Sequence, residues 1–330
     1  MRSIGKWLGR VLIALAALIG LVWLFGPVEP VDRKITFDQS LQADQVAAYF
    51  AKAEARFDDI VPGTEKRVIW ADAPGEQTPI SVLYLHGFSA SSEEIRPVPD
   101  RVAKALNANL VFTRLTGHGR SEQAMAEPTA GDWINDTAEA LTVARAVGEK
   151  VIVIATSTGG TLAALAATDP ALSRDIAGIT FVSPNFALNN PAARILTWPA
   201  VRWWGPLVAG AERSFATLNE GHAKYWTNRY PTTAVLPMAA LVKHTVAQDF
   251  TRATAPALFL YARTDMVVSA AATESIAERW AGPVTLAPQT LPPGNDPYNH
   301  VITGDILSPG MVEPVVAQIL NWAEKLPDSN

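Results

Sequence analysis

The chain of 330 residues contains no cysteine. That absence excludes disulfides, iron–sulfur clusters, thiolate zinc sites and a thiol nucleophile. It leaves the compartment open, since a disulfide-free protein can lie on either side of a membrane. Charge is sparse as well, with 18% charged residues against 48% hydrophobic. A disordered chain would show the opposite balance. There is no surplus of positive charge, with 27 Lys and Arg against 32 Asp and Glu. Outside the first 26 residues, which hold Arg2, Lys6 and Arg10 and no acid, the count is 24 basic to 32 acidic. A nucleic-acid partner is therefore not expected, because phosphate binding rests on clustered Lys and Arg. No His-Glu-x-x-His zinc motif, Gly-x-Gly-x-x-Gly fingerprint or Walker loop occurs, and no metal or other cofactor is expected.

One long apolar run stands out, residues 11–26 (VLIALAALIGLVWLFG), behind the three cations. As a helix it spans roughly 24 Å, a little short of a hydrocarbon core of about 30 Å. Trp7 and Leu8 extend it if Arg10 snorkels to the headgroups. Trp7 and Trp23 stand near its ends, where amphipathic rings settle. A cleaved secretory signal is the rival reading, and a buried soluble helix a third. The stretch LVWLFGPVEP lacks paired small residues for cleavage, which favours an uncleaved anchor over residues 1–26. The cationic end would stay cytoplasmic, placing the rest on the non-cytoplasmic (periplasmic) side. Residues 27–64 follow as linker and N-terminal extension, the part to residue 40 being polar with two prolines.

From Arg67 onward short apolar runs alternate with helical stretches. Strands are expected at 67–70, 80–85, 109–114, 150–155, 178–183, 257–262 and 284–289. Helices are expected at 98–106, 132–147, 159–169, 270–280 and 311–325. This alternation predicts an α/β fold with a mostly parallel sheet flanked by helices. Residues 185–251 break the rhythm and hold four of the ten tryptophans. A structureless loop of that length is improbable in a compact domain. We expect a helical cap insertion there, between core segments 65–184 and 252–330.

The chemistry concentrates in KVIVIATSTGGTLAALAA, residues 150–167. A buried strand runs into Ser157 and then into a helix opened by Gly159 and Gly160. A hydroxyl at the apex of so tight a turn needs small neighbours. Ala155 adds one methyl where glycine is usual. An ordinary helix-capping serine is the bland alternative, and Thr156 and Thr158 are rival hydroxyls. A second strand, ISVLYL, ends in His86-Gly87-Phe88-Ser89. There the Phe88 amide can turn into a cleft and join the Thr158 amide in holding an oxyanion.

With these segments the sequence resembles the α/β-hydrolase superfamily over roughly residues 65–325, in particular its bacterial carboxylesterase and monoacylglycerol-lipase-like branch. LHGFSASSEEIRPVPDRVA, RLTGHGRS, DWINDTAEAL and ATSTGG carry the resemblance. It implies an acid after a late strand and a histidine near the C-terminus. Asp265 in ALFLYARTDMVVS and His300 in PYNHVITGD match these places. Asp296 and Asp305 are rival acids. His86 and His118 read as structural residues of the cleft loops, and His222 and His244 as surface residues or cap packing. Asp132 and Trp133 read as an N-cap with a packed aromatic.

The expected activity is a serine hydrolase of hydrophobic carboxylic esters acting through Ser157, His300 and Asp265. The oxyanion would rest on the Phe88 and Thr158 amides, with Phe88, Trp198, Trp203 and Trp204 at the substrate. Tryptophans facing a bilayer, or merely packing the cap, are the other readings of that cluster. Lysophospholipase, monoacylglycerol lipase or thioesterase activity would use the same machinery. A membrane-tethered binding protein without catalysis is the alternative from another class.

Overall fold

A computed structural model describes residues 2–37 and 40–326. Met1, Asp38, Gln39 and residues 327–330, parts of the expected anchor, linker and core, lie outside the described residues. Helix α1 (Arg2–Phe25) includes a stretch, Lys6–Phe25, long and apolar enough to cross a membrane. The linker that follows has no regular structure, yet its polar groups bind the body. Pro27 O accepts the Ala200 N–H at 2.6 Å. Arg33 reaches Asp169 at 3.2 Å and Gln248 at 3.0 Å, and Asn135 Oδ1 accepts from Thr36. Helix α2 (Ala43–Glu54) is a finding beyond the sequence expectations. Its apolar Val46, Phe50 and Ala53 recur at helical spacing, and the first two pack in one cluster with α4 (Ala130–Val147).

The expected strands all form: β1 (Arg67–Ile69), β2 (Thr78–Leu85), β3 (Asn109–Phe112), β4 (Gly148–Thr156) and β5 (Ile176–Val182), then β8 (Ala257–Ala262) and β9 (Val284–Gln289). Their order in the sheet is β1-β3-β2-β4-β5-β8-β9. Only the β1–β3 pairing among these is antiparallel. Helices α3 (Val98–Ala105), α5 (Thr158–Ala167), α9 (Ala270–Arg279) and α10 (Val312–Ala323) cover the sheet. Residues 185–251 carry α6 (Val201–Ala209), β6 (Glu212–Ser214), α7 (Glu220–Tyr225), β7 (Arg229–Pro231) and α8 (Val235–Val246). The β6–β7 pair is a separate two-stranded ribbon.

Period-two alternation sorts the strand side chains to the two faces. Leu83, Leu85, Val153, Ala155, Phe181 and Phe259 pack with α2, α4, α5 and α9. Val82, Tyr84, Ile152, Ile154, Leu258 and Leu260 pack with α3 and α10. A third cluster joins α8 to Trp133, Leu162 and Leu165. Continuous apolar strands are what a sheet covered on both sides requires.

The parallel register aligns the strand ends. Leu85 lies opposite Ala155, and Thr156 opposite Val182, which lies opposite Leu260. The loops carrying Phe88, Ser157 and Asp265 therefore leave the same edge of the sheet. Such carboxyl ends are where open α/β sheets hold ligands.

One buried ion pair ties α2 to the turn after β3. Arg114 is bidentate to Glu54 at 2.8 and 2.9 Å and donates to His118 O at 3.1 Å. Both side chains are almost fully buried. Removing one partner strands the other charge, at a cost of about 3–5 kcal/mol. Arg114→Met should lower the unfolding free energy by that amount in urea titration of the detergent-solubilised protein. A change below about 1 kcal/mol would mean the pair contributes no more than an exposed one.

Candidate functional site

Ser157 sits at the corner between β4 and α5 with φ +49° and ψ −114°. A non-glycine residue in that region carries strain of order 1–3 kcal/mol. Three backbone hydrogen bonds hold it there. Its N–H donates to Val182 O at 3.0 Å, and its carbonyl accepts from Asn185 N at 2.9 Å and Thr161 N at 3.2 Å. The corner also needs bare backbone beside it. A methyl on Gly159 would collide with the Leu85 carbonyl, and one on Gly160 would meet Pro184 Cβ at 2.8 Å. Ala155 is accommodated, fully buried among the strand residues.

His300 Nε2 lies 3.1 Å from Ser157 Oγ, and its Nδ1 lies 2.9 Å from Asp265 Oδ2. The other Asp265 oxygen accepts the Val267 and Val268 N–H groups at 2.7 and 2.9 Å. Those bonds fix the carboxylate, which then fixes the imidazole. Burial pulls His300 down, but the hydrogen bond and charge of Asp265, together with the charges of Glu94 and Asp296, raise it above an ordinary histidine. A hydroxyl, an imidazole and a carboxylate in this order can move a proton off oxygen and stabilise the resulting cation.

Asp296 is not in that line. Its oxygens accept the N–H groups of Tyr298, His300 and Val301 at 3.0, 2.9 and 2.8 Å. It clamps the loop that presents His300. Asp305 instead follows Gly304 on the exposed side of that loop, its N–H bonded to Arg96 O.

The Phe88 and Thr158 N–H groups carry no hydrogen bond to another described residue. The Thr158 amide opens α5, where helix N–H groups have no partner within the helix. His86 explains how the Phe88 loop is held. Its Nε2 accepts the Leu115 N–H at 3.1 Å, so Nδ1 carries the proton to Gly87 O at 2.9 Å. Burial pulls His86 down to about 4, keeping it neutral for this role. His118 is also buried, against Phe88 and Trp133. Thr129, not Asp132, caps α4; Asp132 closes the capping box three residues on, and Trp133 Nε1 donates to Thr116 O.

Ser157 and His300 line a cavity of about 660 Å³ roofed largely by residues 185–251. Phe88 and Trp204 line it too. Trp198 and Trp203 do not, and they are substantially exposed. Trp198 meets Trp23 of α1 edge to face, with ring centroids 5.2 Å apart. Helical spacing explains the split: Trp203 and Trp204 are adjacent and cannot share a face. His222 lines the cavity from the inside, and His244 bonds Gln248 away from it.

Glu94 is the residue that sequence reasoning missed. It is buried on the cavity wall, and its Oε2 accepts the Gly87 N–H at 2.7 Å and the Tyr84 O–H at 2.9 Å. Burial pushes its carboxyl up to about 6, against the lowering by Gly87, Tyr84 and His300. Its neighbour Glu93 pairs with Arg67 and Arg96 nearer the surface. Nothing in the pair of letters distinguishes the two.

With this geometry, comparison with known proteins is decisive. A profile of the alpha/beta hydrolase family matches residues 82–302. The chain belongs to the alpha/beta hydrolase family. A thermostable monoacylglycerol lipase of Bacillus sp. strain H-257 is 30% identical to this hydrolase over 195 residues, or 58% of this chain and 73% of the relative. Among solved structures, one from a study of the metagenome-derived lipolytic enzymes LipS and LipT superposes with a TM-score of 0.64 at 24% identity. It covers 81% of this chain and 99% of its own. A soluble variant of the Saccharomyces cerevisiae monoglyceride lipase gives a TM-score of 0.57 at 13% identity, covering 90% and 98%. At these identities the structures attest the fold.

Gly159→Ala tests the corner of this hydrolase. The added methyl has only the rigid backbone of Leu85 and His86 to push against. Overpacking of this kind costs about 1–3 kcal/mol or more. The variant should lose that stability in denaturant unfolding, whereas an unchanged midpoint would show that the corner tolerates a side chain.

Proposed function

We propose that this hydrolase cleaves carboxylic esters of hydrophobic acyl groups, with Ser157 as nucleophile, His300 as base and Asp265 as its orienting acid. The observation that carries the reading is the Ser157–His300–Asp265 line, at 3.1 and 2.9 Å, on the floor of a large cavity. Ser157 Oγ attacks the ester carbonyl while His300 takes its proton. The Phe88 and Thr158 amides receive the developing oxyanion. His300 returns the proton to the leaving alcohol, and water then releases the acyl group from Ser157 by the same base. No step calls for a cofactor.

The relatives named as lipases support a lipid ester as substrate. Apolar lining residues such as Leu188, Leu196, Val235 and Leu236 support a hydrophobic acyl group in the cavity. Residues 185–251 act in this reading as the cap that encloses it. Helix α1 serves as a membrane tether, with the hydrolase core on the non-cytoplasmic side.

Fluorophosphonate labelling of the detergent-solubilised protein beside Ser157→Ala, with hydrolysis of p-nitrophenyl esters from acetate to palmitate, tests the assignment. Label and turnover should vanish together in the variant, and long chains should be preferred. A folded wild type that neither labels nor turns over would remove the enzymatic reading.

The pH dependence follows from His300. The base must be neutral, so kcat/KM falls as pH drops through its pKa. Because that pKa is raised, the acid limb should lie above the ordinary imidazole value of about 6.5. Asp265→Asn removes both the hydrogen-bonding carboxylate and its charge. The limb should move to lower pH and turnover should fall by roughly 10⁴. Asp296→Asn keeps an oxygen for the loop amides and should cost far less. Equal losses in the two variants would reassign the acid.

A further inference from the structure

Glu94 has one oxygen that the protein does not use. Oε2 takes the Gly87 and Tyr84 donors, while Oε1 accepts from no described residue. The carboxylate is held from behind, since Tyr84 also lies 3.1 Å from Thr156 Oγ1 next to the corner. Oε1 stands beside Ser157. A methyl built on Gly87 would lie 2.7 Å from Oε1 and 3.1 Å from Ser157 Cβ. Glu94, Ser157 and His300 all line the same cavity, and the charge of Glu94 acts on His300. An acceptor on the cavity wall with no donor among the described residues is free to take one from a molecule in the cavity.

We propose that Glu94 positions the hydrolytic water of the deacylation step, its Oε1 accepting one water hydrogen while His300 Nε2 accepts the other. The proposal rests on the acyl-Ser157 reading above. Water enters where the alcohol has left, on the His300 side of the acyl carbonyl. As its oxygen bonds the carbonyl carbon, the hydrogen facing His300 moves to Nε2 and the carbonyl electron pair moves to the oxyanion. Collapse of that intermediate breaks the bond to Ser157 Oγ, which takes the proton back from His300. The second water hydrogen leaves on the carboxylic acid product. Glu94 accepts a hydrogen bond throughout and takes no proton, so it is a positioning residue that aims the nucleophile. Once ionised, the product acid faces the like charge of Glu94, which favours its departure.

Glu94→Gln isolates this function. The amide oxygen can replace Oε2 toward Gly87 and Tyr84, leaving an NH₂ at the place of Oε1. Volume and both anchoring bonds are kept, and the cavity acceptor becomes a donor. In stopped-flow hydrolysis of a p-nitrophenyl ester by the full-length, detergent-solubilised protein, the p-nitrophenol burst should stay within about threefold of wild type. Steady-state turnover should fall about tenfold to a hundredfold, the worth of one hydrogen bond to a charged group. The acyl-enzyme would then accumulate.

A second readout does not depend on how much variant folds. Methanol has a single O–H, which it must give to His300, so Glu94 has no second hydrogen to hold. With methanol added, the ratio of methyl ester to free acid should rise in Glu94→Gln by about the factor lost in turnover. An unchanged ratio overturns the proposal, as does a burst and turnover that fall together, which would make Glu94 a brace for the Phe88 loop. Failure of the wild type to label with fluorophosphonate would instead remove the acyl-Ser157 reading itself, and the proposal with it.

Discussion

The site depends on the bend at Ser157, and the bend depends on the register of the parallel sheet. Ser157 keeps a positive φ because its N–H and carbonyl are tied to Val182, Asn185 and Thr161. Val182 ends the neighbouring strand, and Asn185 follows it by three residues. A slip of β4 against β5 by one residue would turn every strand side chain to the opposite face. It would also remove the acceptor that holds the corner. The two large clusters on either face of the sheet therefore hold the strained residue in place indirectly. Bare backbone at Gly159 lets β2 pass close enough for the Phe88 loop to stand beside Ser157. Strain of a few kcal/mol persists only where the surroundings over-determine it, and here the surroundings are the core.

Around His300 the charges are uneven in function. Asp265 meets the ring directly, Asp296 holds the loop backbone, and Glu94 lines the cavity near Ser157. All three favour the imidazolium, but only Asp265 can set which nitrogen carries the proton. This division bears on a question the chain order leaves open, since Asp265, Asp296 and Asp305 are all acids within reach by sequence. The deciding feature is donor geometry. Asp265 spends one oxygen on two backbone amides and keeps the other for the ring. Asp296 has both oxygens committed to main-chain N–H groups.

The sheet was legible because burial on both faces forces long apolar runs, and those runs mark β2, β4, β5 and β8 without help from distant residues. Ser157 was legible for a related reason. A tight strand-to-helix corner permits only small neighbours, so the constraint is written locally in Ala155, Gly159 and Gly160. Helix α2 was harder to see, because half of its surface is polar and its apolar stripe is only Val46, Phe50 and Ala53. Residues 27–40 read only as a linker because their many polar residues are equally suited to water. That they bond to Asn135, Asp169 and Gln248 is a long-range fact.

The tryptophans and Glu94 mark the deeper limit. Composition says that residues 185–251 are aromatic, but only the rotation of α6 decides that Trp204 turns to the cavity and Trp203 to the outside. For Glu94 the usual inference runs backwards. A carboxylate next to another in a loop is ordinarily solvated, and Glu93 obeys that expectation with Arg67 and Arg96 at hand. Glu94 is buried because Tyr84 of β2 and Gly87 just past its end offer donors that offset part of its desolvation. Those donors satisfy one oxygen of two. The other oxygen has no donor among the described residues, and the proposed hydrolytic water would supply one at the step that consumes it.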